Sequence, residues 1–138
     1  MSLVSGSSRA SLGDRNGAPV ITGLFAGEAL KAVAPCYIKS DGKVYECLGT
    51  SGSAASAPAG FTARQTAVDE PVTLFGAGAV FQYGGTSLTP GALLHLSAAA
   101  AGMLDSAATI GDKHGVAVAI DAKNIMVTRA DGRKATEV

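Results

Sequence analysis

Tryptophan is absent from this 138-residue chain, and the other aromatics are few: four Phe and three Tyr, 5% of the total. Aromatic side chains bury the most area per residue, so the interior has to be built from aliphatics. Alanine makes up about a fifth of the sequence and there are 18 glycines; neither buries much, and the 47% hydrophobic share overstates the core. A core this thin leans on contacts outside the domain. Charge of a dominant sign is also missing, with 11 Lys and Arg against 11 Asp and Glu. Affinity for a phosphate backbone comes mainly from cations that displace counterions, so direct nucleic-acid binding is not expected. No apolar run approaches the ~20 residues needed to cross a bilayer. The opening Met1-Ser2-Leu3-Val4-Ser5-Gly6 lacks the basic leader and apolar stretch of a secretory signal. The expectation is a cytosolically made protein with no membrane partner.

Reactive groups are as sparse. Cys36 and Cys47 are the two cysteines, and His95 and His114 the two histidines. Neither histidine lies at zinc-site spacing from the cysteines, so no metal is expected. Asp112-Lys113-His114-Gly115 carries an acid next to a base, but no Gly-x-Ser-x-Gly elbow supplies a nucleophile, and a polar turn explains it more simply. Gly76-Ala77-Gly78-Ala79-Val80-Phe81 starts like a dinucleotide loop and ends in Phe where glycine is required; no Gly-Lys-Ser/Thr phosphate loop occurs. No catalytic residue and no cofactor are expected, and the chain reads as a non-enzyme.

What is present is short apolar segments punctuated by glycine and turn residues, the pattern of an all-β protein, a small β-barrel or sandwich. Three parts are expected: a flexible Ser-, Gly- and Arg-rich arm over 1–18, a barrel over 19–130, and a polar tail over 131–138. Strands are expected at Pro19–Thr22 with Leu24–Ala26, Val72–Phe75, Ala79–Tyr83, Ala92–Leu96, Gly115–Ile120 and Ile125–Arg129. Gly27–Lys31 reads as a turn or one helical turn, and Gly84-Gly85 closes the strand before it. The sharpest local signal is a hairpin over Cys36–Cys47. With Asp41-Gly42 as a two-residue loop, Ile38 faces Tyr45 and Cys36 faces Cys47. Cys36, Ile38, Tyr45 and Cys47 then share an apolar face, with Lys39 and Glu46 on the other. Opposed cysteines in a hairpin lie within disulfide reach, whereas cytosolic synthesis favours free thiols; both states remain open. Residues 49–60 read as a mobile surface loop, and Thr89-Pro90-Gly91 as a type II turn. Val116, Val118 and Ile120 are expected to point inward.

Two stretches resemble a known family. Ala26-Gly27-Glu28-Ala29-Leu30-Lys31-Ala32 running into Cys36–Tyr45, and Leu88–Leu96 continuing through Gly102-Met103-Leu104, Gly111-Asp112, Gly115-Val116-Ala117 and Ile125-Met126-Val127, are similar to the small head decoration (cement) proteins of tailed bacteriophages. The likeness covers most of residues 20–129; residues 1–18 have no counterpart, and the 49–60 loop is longer. The resemblance implies a homo-oligomer, a trimer or a dimer, on the outer surface of a virion capsid. Its partners would be the major capsid protein and further copies of itself. It would be made in the host cytoplasm and carry no catalytic residues. Leu3, Val4, Arg9, Leu12 and Arg15 of the arm are then the expected capsid contacts. Competing expectations are another virion accessory, such as a head-fibre base or tail component, and a stand-alone carbohydrate-binding β-barrel. Sugar sites favour exposed Trp or Tyr, and this chain has no Trp and three Tyr.

Overall fold

The computed structural model describes residues 20–50, 54–83, 88–109 and 111–130. The arm over 1–18, the tail over 131–138 and Gly84-Gly85 therefore lie outside the described residues. Those described are all-β, as the sequence indicates, with two antiparallel five-stranded sheets. The first contains β1 (Val20–Phe25), β2 (Pro35–Ile38), β3 (Val44–Glu46), β4 (Gly60–Thr62) and β5 (Pro71–Phe75), ordered β1-β5-β4-β2-β3. The second contains β6 (Val80–Gln82), β7 (Leu93–Leu96), β8 (Leu104–Asp105), β9 (Ala117–Ala119) and β10 (Asn124–Val127), ordered β6-β10-β9-β7-β8.

The first sheet is drawn round on itself. Ala26, just beyond β1, forms a parallel bridge with Val44 of β3, and the Gly27 amide donates to the Val44 carbonyl at 2.8 Å. Strand alternation then gives this sheet two apolar faces. Ala26, Leu30, Ala34, Cys36, Val44, Val72 and Leu74 form a cluster drawn wholly from its own segments. The opposite face packs on the second sheet through Cys47, Phe61, Phe81, Leu94, Leu96, Ile125 and Val127. Few aromatics are available, and three of the four phenylalanines are spent at this junction: Phe61 stacks on Phe81 at 6.5 Å and Phe75 meets Phe81 edge-on at 5.9 Å.

The Cys36–Cys47 hairpin forms one residue out of the expected register. Tyr37 pairs with Tyr45, Ile38 with Val44, and Cys36 with Glu46 rather than Cys47. The cause is the loop. The Gly42 amide donates to the Lys39 carbonyl and the Lys39 amide to the Lys43 carbonyl, so the turn holds three residues, with Gly42 left-handed at φ 85°. This is a type I turn closed by a glycine bulge, not a two-residue type I′ turn. A one-residue slip exchanges faces. Cys36 joins the first cluster and Cys47 the second. Tyr45 lies half-buried on the face opposite Cys36, and Glu46 is buried where a solvent-facing residue was expected.

Three further expectations are corrected. Residues 49–60 are not simply a surface loop. Gly49, Ser56 and Pro58 are buried, a single 3-10 turn spans Ala54–Ser56, and Gly60 opens β4 inside the first sheet. Gly27–Lys31 forms no helical turn; Leu30 bridges Thr66 instead. On β9 the small residues face inward: Ala117 is 0% and Ala119 2% exposed, whereas Val118 is half-buried and Ile120 47% exposed. The Val116 amide donates to the Leu94 carbonyl at 2.8 Å although Ala117 is the residue paired with Leu94; two residues against one make a bulge that buries Val116 and Ala117 consecutively and inverts the phase beyond them. The Thr89–Ala92 turn forms as expected, with Gly91 at φ 84° and the Ala92 amide donating to the Thr89 carbonyl.

Candidate functional site

The one acid-base-like segment of the sequence is a structural knot. Asp112 is fully buried. Its Oδ2 accepts from the Leu96 amide at 2.8 Å; its Oδ1 accepts from the Gly115 amide at 2.9 Å and from Arg129 Nη2 at 3.1 Å. Arg129 Nε donates to the Gly115 carbonyl at 3.3 Å, and buried His95 sets Nδ1 at 3.1 Å from the Asp112 carbonyl. Since a carbonyl only accepts, Nδ1 holds the proton in that contact. Asp112 thus ties β7, the turn before β9 and the end of β10 together. Lys113 and His114 are exposed, and His114 makes no part of this knot.

A second knot joins the sheets. The Glu46 side chain is 6% exposed and accepts from Lys31 Nζ at 2.9 Å and from the Lys31 amide at 2.7 Å. Lys31 Nζ also donates to the Ala101 carbonyl at 2.9 Å, in the loop between β7 and β8. Gly102 sits against this carboxylate: a Cβ there would lie 2.5 Å from Glu46 Cδ. At the hairpin turn, Asp41 accepts from the Lys43 amide and Tyr45 hydroxyl, and these bonds hold its carboxyl below its ordinary value.

Both cysteines are free and buried, in separate clusters. Burial pushes both thiols well above their ordinary range, and the Glu46 and Glu28 carboxylates push Cys36 further the same way. Only the thiolate reacts quickly. Alkylation of the folded protein is therefore expected to run at the rate of opening, with both thiols labelled promptly in denaturant. Fast labelling of either thiol in native buffer, followed by mass spectrometry, would contradict this burial.

Among the described residues no group of three or more His, Cys, Asp and Glu is placed to hold a metal. A groove of about 280 Å³ lies along β4 and β5, between Arg64, Thr66 and Phe75. No helix among the described residues is long and apolar enough to cross a membrane.

The surface, in contrast, carries apolar rows. On the second sheet, Val80 is paired with Met126, Met126 with Val118, and Val118 with Leu93. Directly opposed residues share a face, so these four form one stripe across β6, β10, β9 and β7. Val80 is 40% and Leu93 49% exposed, and Ile120 beside them 47%. On the first sheet, Val20 and Phe25 of β1 are each 50% exposed and Ile21 37%. These rows are the candidate contact surfaces. The stripe was missed in the sequence because the Val116–Ile120 alternation was read in the opposite phase. The expected contacts Leu3, Val4, Arg9, Leu12 and Arg15 lie outside the described residues. No family model and no curated protein matches the chain.

Proposed function

We propose that this chain is a structural virion protein that docks on the outer surface of a tailed-phage capsid and stabilises the mature shell. The observation that carries the reading is the stripe Val80–Met126–Val118–Leu93, an apolar row turned outward by a protein whose buried polar groups are engaged internally. Contiguous exposed apolar surface marks interaction sites more often than solvent-facing skin. The resemblance of residues 26–45 and 88–127 to capsid decoration proteins supplies the identity of the partner, the major capsid protein, and the expectation of self-association. In this reading Leu3, Val4, Arg9, Leu12 and Arg15 add contacts along the shell, by pairing of the arm with a sheet edge.

The mechanism is linkage. A ligand that binds the assembled shell but not its separated capsomers stabilises the assembly by RT ln(1 + [L]/Kd), about 2.7 kcal/mol per site at a hundredfold excess. Many sites multiply that against outward pressure from packed DNA. The test counts copies retained on expanded capsids of the phage that encodes the chain. Wild type is compared with Leu93→Lys/Val80→Lys and with a variant lacking residues 1–18, each checked by circular dichroism for a retained fold. The two lysines are expected to lower occupancy by at least about tenfold, since burying an unpaired charge costs several kcal/mol, and the truncation to lower it through loss of the arm's contacts. Unchanged occupancy in both variants would remove the stripe and the arm as contacts.

A further inference from the structure

The groove on the first sheet exists because β4 leaves its neighbour early. β4 pairs with β5 only as far as Thr62 opposite Leu74. The chain then swings to Leu30, with which Thr66 exchanges both amide-to-carbonyl bonds, at 2.8 and 3.0 Å. The space left between residues 63–66 and Pro71–Phe75 is the groove of about 280 Å³. Its walls are held from behind. Thr62 Oγ1 accepts from the Ala34 amide at 3.0 Å and donates to the Lys31 carbonyl at 2.7 Å, and the Thr66 hydroxyl donates to the Arg64 carbonyl at 3.2 Å. Phe75 is set by its edge-on contact with Phe81.

Two polar groups on the lining are left over. Among the described residues the Arg64 guanidinium and the Thr73 hydroxyl have no hydrogen bond or ion pair. The acids that follow Arg64 in the chain are engaged elsewhere: Asp69 pairs with Lys43 at 3.2 Å, and Glu70 accepts from the Ala67 amide at 3.1 Å. Pro71, Val72 and Phe75 supply the apolar part of the lining.

We infer that this groove binds an acidic side chain, Asp or Glu, carried beside an apolar residue on a partner protein. The planar fork of Arg64 matches a carboxylate through two parallel bonds, Thr73 can donate a further one, and the wall of Pro71 and Phe75 takes the apolar neighbour. Small-molecule pockets start at about 300 Å³, so the groove suits one or two side chains rather than a whole cofactor. A single cation beside an apolar wall fits a singly charged carboxylate. A phosphate group, close to doubly charged and with three strong acceptor oxygens, calls for more donors than these two. The groove lies on the first sheet and the outward stripe on the second, so this binding does not depend on the capsid reading.

The full-length protein, labelled with nitrogen-15, is titrated with acetyl-Glu-Phe amide up to ~10 mM, beyond the weak end of the usual affinity scale. Saturable amide shifts confined to residues 63–66 and 73–75 are expected. Acetyl-Gln-Phe amide should bind at least about threefold more weakly, the scale of an exposed ion pair. Arg64→Gln should bind the two peptides alike, whereas Arg64→Lys should keep the preference for Glu. Arg64 is exposed, and circular dichroism checks that both variants fold. No saturable shift at these residues, equal binding of the two peptides by the wild type, or a preference that survives Arg64→Gln overturns the inference. Inorganic phosphate binding there more tightly than the Glu peptide overturns it as well, and gives the groove to a phosphorylated ligand.

Discussion

Asp112→Ala is expected to cost about 3–5 kcal/mol, the range for removing one partner of a buried ion pair, and so to remove much of the 5–15 kcal/mol that holds a domain of this kind together. The reason is what the substitution strands. Asp112 is fully buried and takes bonds from the Leu96 and Gly115 amides and from Arg129, itself only 13% exposed at the side chain. Alanine leaves two buried N–H groups and a guanidinium without their acceptor, each a desolvation cost without return. Asp112→Asn keeps the shape but turns an N–H₂ toward one of the donors, so it should fall between wild type and alanine. Urea unfolding followed by circular dichroism reads both. A loss below about 1 kcal/mol for alanine would mean that Asp112 is not the tie between β7 and β10.

Gly111→Ala is the second large effect, for a steric reason. Gly111 lies back-to-back with Gly49, and its amide donates to the Gly49 carbonyl at 3.1 Å. A Cβ on Gly111 would fall 2.6 Å from the carbonyl carbons of Gly49 and Thr50, backbone atoms that cannot swing aside as a side-chain tip would. The Gly49 amide in turn donates to the Ser97 carbonyl at 2.7 Å. The crossing therefore fastens the segment after β3 to the loops of the second sheet. Overpacking costs 1–3 kcal/mol, occasionally more, and an expected loss of about 3 kcal/mol follows from the lack of any soft neighbour. Gly42→Ala is the contrast: its φ is 85° but nothing lies within 4 Å, so only the conformational cost of about 1–2 kcal/mol applies. A smaller loss at Gly111 than at Gly42 would mean that the backbone crossing is looser than described.

These two positions also show how far the sequence was legible. Asp112 stood out as part of a polar turn running to Gly115, and Gly111 only within the stretch that carries the resemblance, yet nothing local revealed that Leu96 and Arg129 would converge there. Their separations along the chain are 16 and 17 residues, and pattern reading carries no information over that distance. Local chemistry was readable wherever a turn fixes its own geometry: Pro90-Gly91 made its turn, and β5, β6, β7 and β10 lie close to where apolar runs placed them. The hairpin failed by one residue because Asp-Gly suits both a two-residue turn and a three-residue turn closed by a bulge, and the chain alone does not choose. β9 failed because a bulge at Val116 inverts phase, and the expected interior valine at 118 became surface. β4 was missed because its first residue, Gly60, closed the segment read as a loop; that glycine is needed for close passage beside Leu74, its would-be Cβ only 2.6 Å from that side chain. A glycine chosen for room looks like a glycine in a loop.

That last slip has a functional side. Once Val118 faces outward, it completes the stripe with Leu93, Met126 and Val80, and the thin interior anticipated from composition is matched by apolar residues left on the outside.

The most direct measurement titrates the purified protein onto expanded capsids and, in parallel, onto their dissociated capsomers, counting bound copies by quantitative mass spectrometry of the sedimented particles. Saturable, stoichiometric binding to the expanded shell with little on capsomers is the expected result. No binding to the shell, or equal binding to both, would contradict a role as a stabiliser of the mature capsid.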